Sequence, residues 1–266
     1  MITANPFSAL SESVPSVAMQ AFVILMITLV VVGTLLDIIH KKNVKYFFSN
    51  AKKAKLSATK TLTSGEKIAV ISKTVIHDIA TTSELGAGKR RAAHLLGMYG
   101  TILFWIGSVV MIFCYASPSS DTPVIWPIIW HVGAIMTVLG GSWFWFFLRV
   151  DVYAEAYPWY RIIKADLFVL ALIVTALFGL IWSFLQSSNI SNRWDDKFFL
   201  ILFIISNLIL FGGVYWSKFA HMFYKPGAAL QKNLAEADGS RDNLPPPADA
   251  PEKFGLGIKR EEPKHY

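Results

Sequence analysis

Two histidines stand in matching settings on different apolar stretches of the chain. His94 follows the basic run Lys89, Arg90 and Arg91 at the start of one stretch, in KRRAAHLLGMYGTILFW, and His221 closes another, in YWSKFAHMFYKP, between Lys218 and Lys225. If the two stretches cross a membrane in opposite directions, both imidazoles lie near one surface and can face each other at one depth. Two neutral imidazoles on facing helices are the axial ligand set of a six-coordinate haem b, and Arg90, Arg91, Lys218 and Lys225 at the same boundary could neutralise its propionates. Gly97, about one turn beyond His94, falls on nearly the same face and would let a flat group approach the backbone. The other reading of each histidine is a boundary residue at a helix end. A second haem stacked across the membrane would need another facing pair about 13 residues further out, and neither stretch has one.

The remaining histidines offer less. His40 sits at the same boundary as His94, but the adjacent Lys41 and Lys42 favour a solvent-facing role. His77 and Asp78 read as a solvated surface pair rather than a catalytic one. His131, beside Trp126 and Trp130 at the far side, is either an outer boundary residue or a hydrogen-bond donor to quinone, and His265 lies in the tail. Cys114 is the single cysteine, so the chain cannot build a disulfide, a Cys-ligated zinc site or an iron–sulfur cluster by itself.

These side chains must be positioned by membrane helices. Of 266 residues, 54% are hydrophobic and 16% charged, where an ordinary soluble domain has about a quarter charged. Stretches free of Asp, Glu, Lys and Arg are long enough for the roughly 20 residues of helix that a hydrocarbon core requires. They predict an all-α integral membrane protein: a bundle of five transmembrane helices with spans at about 16–38, 92–116, 124–148, 166–188 and 197–221. The first span has no Lys or Arg before it and is too long for a signal-peptide core, so it is read as a helix of the mature protein.

The net charge of +7 reports topology rather than nucleic-acid binding. Of 25 Lys and Arg, 12 fall between Lys41 and Arg91, three between Arg149 and Lys164, eight from Lys218 onward, and only Arg193 and Lys197 between spans four and five. The positive-inside rule then puts the N-terminus outside and the 41–91 loop, the 149–164 loop and the C-terminus in the cytoplasm.

Around the membrane domain, 16–225, residues 1–15 read as a loosely ordered external arm and 226–266, rich in Pro and charge, as a flexible cytoplasmic tail. The loop 41–91 is long for a connection, and Ile68, Ile71, Val75 and Ile79 recur at helical spacing. This predicts an amphipathic helix between spans one and two, lying on the membrane or under a partner subunit. Ser64 before Lys67 makes a poor capping box, so its start is expected to be soft. Asp166 suits the N-terminus of span four. Asn207, Gly212, Gly213 and Ser217 suggest close helix packing in span five.

At KRRAAHLLGMYGTILF, DLFVLALIVTALFGL and YWSKFAHMFYKP the chain resembles the nitrate-reductase gamma-subunit-like respiratory membrane subunits, over about residues 16–232. Within them it is most similar to the membrane anchors associated with adenylylsulfate reductase and the C subunits of quinone-interacting membrane oxidoreductase. The resemblance implies a multi-pass subunit of the cell inner membrane that carries electrons between a soluble cytoplasmic flavin or iron–sulfur enzyme of dissimilatory sulfur metabolism and the quinone pool. It implies one haem b on His94 and His221, with sulfur chemistry left to the partner. A cofactor-free anchor for the soluble enzyme is the alternative. A small transporter is a third reading, weakened by the lack of charged residues near mid-membrane.

Overall fold

The computed structural model describes residues 2–86, 88–188 and 194–240. Among them every regular element is helical: α1 (Pro6–Leu10), α2 (Ser16–Lys41), α3 (Asn43–Leu56), α4 (Ser64–Lys73), α5 (Lys89–Cys114), α6 (Ile125–Trp143), α7 (Val150–Tyr153), α8 (Leu167–Ser187), α9 (Trp194–Gly212) and α10 (His221–Ala237). Helices α4 and α6 run on into π-helical turns, Thr74–Ala80 and Phe144–Leu148.

Four helical stretches are long and apolar enough to cross a membrane: Ser16–Lys41, Lys89–Cys114, Ile125–Leu148 and Lys164–Ser187. The chain is therefore a multi-pass membrane protein. The stretch expected as a fifth span is also helical, but α9 is 19 residues long and opens with Asp195, Asp196 and Lys197. That leaves residues 198–212 as its apolar length, about 22 Å of helix against a hydrocarbon core of about 30 Å. The helix does not continue to residue 221 as expected. The Gly213 amide donates to the Ile209 carbonyl at 2.9 Å, the chain turns through residues 213–220, and His221 opens α10. Gly212 has open space where a Cβ would be, while a Cβ on Gly213 would lie 2.6 Å from the Ile209 oxygen. The glycine pair ends a helix rather than packing one against a neighbour.

The chain divides into two compact units, Met1–Asp37 with Lys89–Ala220, and Ile38–Gly88 with the chain from His221. In the first, α5 and α6 are antiparallel and meet backbone to backbone. A Cβ on Gly140 would lie 2.5 Å from the Gly97 nitrogen, one on Gly100 2.6 Å from Thr137 N, one on Gly133 2.5 Å from Phe104 N and one on Gly107 2.9 Å from the Trp130 Cβ. The pairs step three or four residues at a time in opposite directions, so one register satisfies all of them. In lipid, where apolar surface gains nothing by leaving water, such close approach is what holds helices together.

Aromatic rings fill the rest. Trp130 and Trp182 are fully buried, Trp182 stacks on Phe203 at 5.8 Å, and Phe104 lies against both Trp130 and Phe203. Helix α2 contributes Met19, Met26 and Gly33, seven residues apart, and leaves its remaining aliphatic residues largely exposed, as a lipid-facing helix does.

The N-terminal segment is ordered, contrary to the expectation of a loose arm. Asn5 caps α1 by accepting from the amides of Phe7 and Ser8, and its own amide donates to the Tyr115 carbonyl at 2.9 Å and the Thr122 hydroxyl at 3.1 Å. Phe7 then drops between Trp130 and Trp182, with ring centroids at 5.9 and 5.7 Å. The sequence signal was Asn-Pro, an N-cap followed by the residue favoured at N1.

At the other end of the same bundle, Arg149 and Asp166 form a buried ion pair at 2.8 Å. Arg149 also donates to the carbonyls of Trp159 and Arg161 and lies over the Trp145 ring at 4.0 Å. Asp166, expected only as a helix-start carboxylate, thus clamps the connection between α6 and α8.

The amphipathic helix expected between spans one and two is present as α4 with its π-helical turn, and the second unit adds α3 and α10 to it. Both α3 and α4 lie against α10, and the amides of Thr59 and Lys60 donate to the Asp238 carbonyl. Helix α4 has a firm start, because the capping box is Thr63 with Glu66, one residue before the pair expected. Lys60 and the Thr63 amide and hydroxyl together push the exposed Glu66 carboxyl down to about 2. Helix α10 continues through Pro226 to Ala237, so 226–237 is not a flexible tail; the remainder of that expectation, 241–266, lies outside the described residues.

Candidate functional site

Each residue singled out from the sequence has a definite place. His94 is the sixth residue of α5, about one and a half turns into the helix, and is exposed; Arg90 and Arg91 just before it are half-buried. Lys218 is exposed in the turn after α9, His221 is half-buried at the first position of α10, and Lys225 is exposed one turn further. His94, Arg90, Arg91 and Lys218 belong to the first unit, whereas His221 and Lys225 belong to the second. No continuous helix carries the last span to His221, on which its expected place at the depth of His94 depended, because α9 ends at Gly212 and His221 opens α10.

Gly97 does not present open backbone. The α6 residues Gly140 and Gly141 are 3.9 Å from where its Cβ would be, so the side expected to receive a flat group is occupied by a helix.

The histidine that the structure builds in most firmly is His131. It is fully buried, and both ring nitrogens are engaged: Nδ1 is 2.7 Å from the Pro127 carbonyl and Nε2 is 2.8 Å from the Ser183 hydroxyl. A carbonyl can only accept, so Nδ1 carries the proton and Nε2 accepts from Ser183. This ties α6 to α8, with Trp130 edge-on at 4.7 Å. With both nitrogens engaged and the ring fully buried, His131 is not open to a quinone, the second of the two roles expected for it. Sequence reasoning passed over Ser183, whose only signal was a hydroxyl in an otherwise apolar span.

In the second unit, His77, Ser83 and Asp78 form a chain that resembles a nucleophile, base and acid but runs the wrong way. The Ser83 hydroxyl donates to Asp78 at 2.9 Å and lies 2.8 Å from His77 Nδ1. With its one proton committed to the carboxylate, Ser83 accepts from His77 and is not activated by it. Asp78 is instead a packing residue. The Asn233 amide donates to it at 2.6 Å and to the Thr74 hydroxyl at 2.8 Å, joining the π-helical turn to α10. The Asn233 hydrogen bond, then that from Ser83 and the charges of His77 and Lys232, hold the Asp78 carboxyl below its ordinary value against the opposing effect of burial.

His40 is exposed, as expected, and His265 lies outside the described residues. No group of three or more His, Cys, Asp or Glu is arranged to hold a metal ion among the described residues. A shallow groove of about 190 Å³ between α8 and α9 is lined by Leu167, Leu170, Ala171, Val174, Ser206 and Ile209 and contains no ionisable group. Fold and site define an all-helical, multi-pass membrane protein. No family model, no curated protein and no solved structure matches the chain.

Proposed function

We propose that the chain is a membrane subunit that holds a soluble flavin or iron–sulfur oxidoreductase, of the adenylylsulfate reductase type, at the inner membrane and passes electrons between that enzyme and quinone through one haem b. The observation in its favour is the setting of His94. It is an exposed residue of a helix long and apolar enough to cross the membrane, with Arg90 and Arg91 just before it.

The donor types are those a haem requires. His94 would offer one axial nitrogen, and the half-buried guanidinium groups of Arg90 and Arg91 beside it would meet propionates with charge-assisted hydrogen bonds. His221 as second ligand, flanked by Lys218 and Lys225, rests on the sequence alone. A bound haem b supplies one-electron transfer. The arrangement has α9 as a fifth crossing, its short apolar length met by local thinning of the bilayer, with the N-terminus outside.

A second reading, the cofactor-free anchor, is favoured by one observation: the backbone at Gly97 is packed against α6. The two separate in a reduced-minus-oxidised spectrum of the purified chain, with pyridine haemochrome quantification, repeated on His94→Ala and His221→Ala. One haem b per chain, lost in either folded variant, is the expected result. A folded parent protein without haem, prepared with ample haem supply, would leave only the anchor. Co-purification with a flavin or iron–sulfur enzyme tests the anchoring role, and its absence would sink both readings.

A further inference from the structure

The second unit wears its apolar side outward. Along α4 and its π-helical turn, polar residues reach α10: Thr74, 1% exposed, and Asp78 both accept from the Asn233 amide. Exposed along the same run are Ile68 at 64%, Ile71 at 43%, Val75 at 49% and Ile76 at 64%. An amphipathic helix ordinarily turns its apolar row toward its own core. One that turns it away needs an apolar medium to cover the row.

The charge around the row identifies that medium. From His40 to His77 the chain carries Lys41, Lys42, Lys45, Lys52, Lys53, Lys55, Lys60, Lys67 and Lys73 against one acid, Glu66, and that acid is already paired with Lys60. Helix α3 repeats the mixture: exposed Tyr46, Phe48 and Leu56 stand among Lys45, Lys52, Lys53 and Lys55. Moreover, α3 begins at Asn43, two residues after the end of the apolar helix α2, so its first turn starts where a membrane crossing stops. Lysines flanking aliphatic and aromatic residues are the composition of a helix held in the headgroup layer of an anionic leaflet. Protein interfaces, by contrast, are depleted in lysine.

We propose that α4 and its π-helical turn form an interfacial membrane-binding element. Ile68, Ile71, Val75 and Ile76 enter the boundary between headgroups and acyl chains, and Lys67 and Lys73, on either side of that row, meet lipid phosphates. The second unit is then held down on the bilayer by its own surface as well as by the chain that tethers it. This holds whether or not haem is bound.

The test uses the full chain with Cys114→Ser and Ile71→Cys, labelled with an environment-sensitive fluorophore and reconstituted into phosphatidylcholine vesicles with or without phosphatidylglycerol. With anionic lipid, the label is expected to be quenched by nitroxide-bearing acyl chains and shielded from aqueous iodide; without it, iodide should reach the label. Lys67→Gln or Lys73→Gln should each shift the ratio of inserted to exposed label about five-fold toward water. Val75→Cys serves as a second labelling position, and circular dichroism equal to that of the parent excludes an unfolded variant. Iodide access in both lipids, or equal insertion in both, would overturn the proposal. So would shielding found in native membranes but absent from vesicles containing phosphatidylglycerol, which would assign the row to a protein partner.

Discussion

Gly97 and Gly140 touch each other across α5 and α6, yet alanine at the two positions should act differently. A Cβ on Gly97 finds its nearest neighbours at 3.9 Å, an ordinary contact, whereas one on Gly140 would lie 2.5 Å from the Gly97 nitrogen and 2.8 Å from the Ala93 oxygen. Those are backbone atoms within helices and cannot turn aside. Both substitutions gain the same helix propensity over glycine, so that contribution cancels in the comparison. What remains is the overpacking at Gly140, about 1–3 kcal/mol, a factor of about 5 to 150 in the folding equilibrium. The difference should appear as a lower midpoint for Gly140→Ala than for Gly97→Ala in thermal or denaturant unfolding of the purified protein in one detergent. Equal stability of the two variants would refute the register drawn between α5 and α6. The same Gly97→Ala variant bears on the cofactor: a haem seated against that backbone would lose occupancy, while a backbone already covered by α6 would leave haem content unchanged.

Removing the N-terminal plug should be costly, with Phe7→Ala losing about 3–5 kcal/mol and making residues 2–15 newly sensitive to protease in a limited-digestion time course. Ser183→Ala should cost about 1–3 kcal/mol by leaving His131 Nε2 buried without a donor; His131→Phe with Ser183→Ala should recover part of that in a double-mutant cycle. Asp78 has a folded-state pKa below its unfolded value, so its stabilisation of the second unit is present above that unfolded value, 3.8, and lost as pH falls through the lower folded one. Hydrogen exchange of α10 should therefore accelerate on acidification below about pH 4, and Asn233→Leu, which removes the main cause of the shift, should flatten that dependence.

How far the chain could be read beforehand follows from what hydropathy measures. Four apolar helices, with extents close to those expected, were legible because length and apolarity are local properties of the sequence. Arg149, Asp166, His77 and Asp78 were also visible, but not the clamp or the reversed hydrogen-bond chain they enter, since these depend on the path of the backbone that brings in the Arg161 carbonyl and Ser83, and on Asn233 from a distant helix. The capping box at Thr63 was legible and was displaced by one residue only because Ser64 offered a rival cap.

By itself, then, the sequence determined that this is a helical membrane protein and where most of its long helices run. Tertiary structure decided which way each helix faces. Inside a bilayer, lipid and protein interior are equally apolar, so nothing in the composition of α6 tells that Trp130 and His131 turn inward. In the second unit the usual rule is inverted, with Thr74 covered and Ile68 bare. Only the partner surfaces, Ser183 on α8 and Asn233 on α10, select those orientations, because a buried polar group must find its hydrogen bond wherever the fold supplies one.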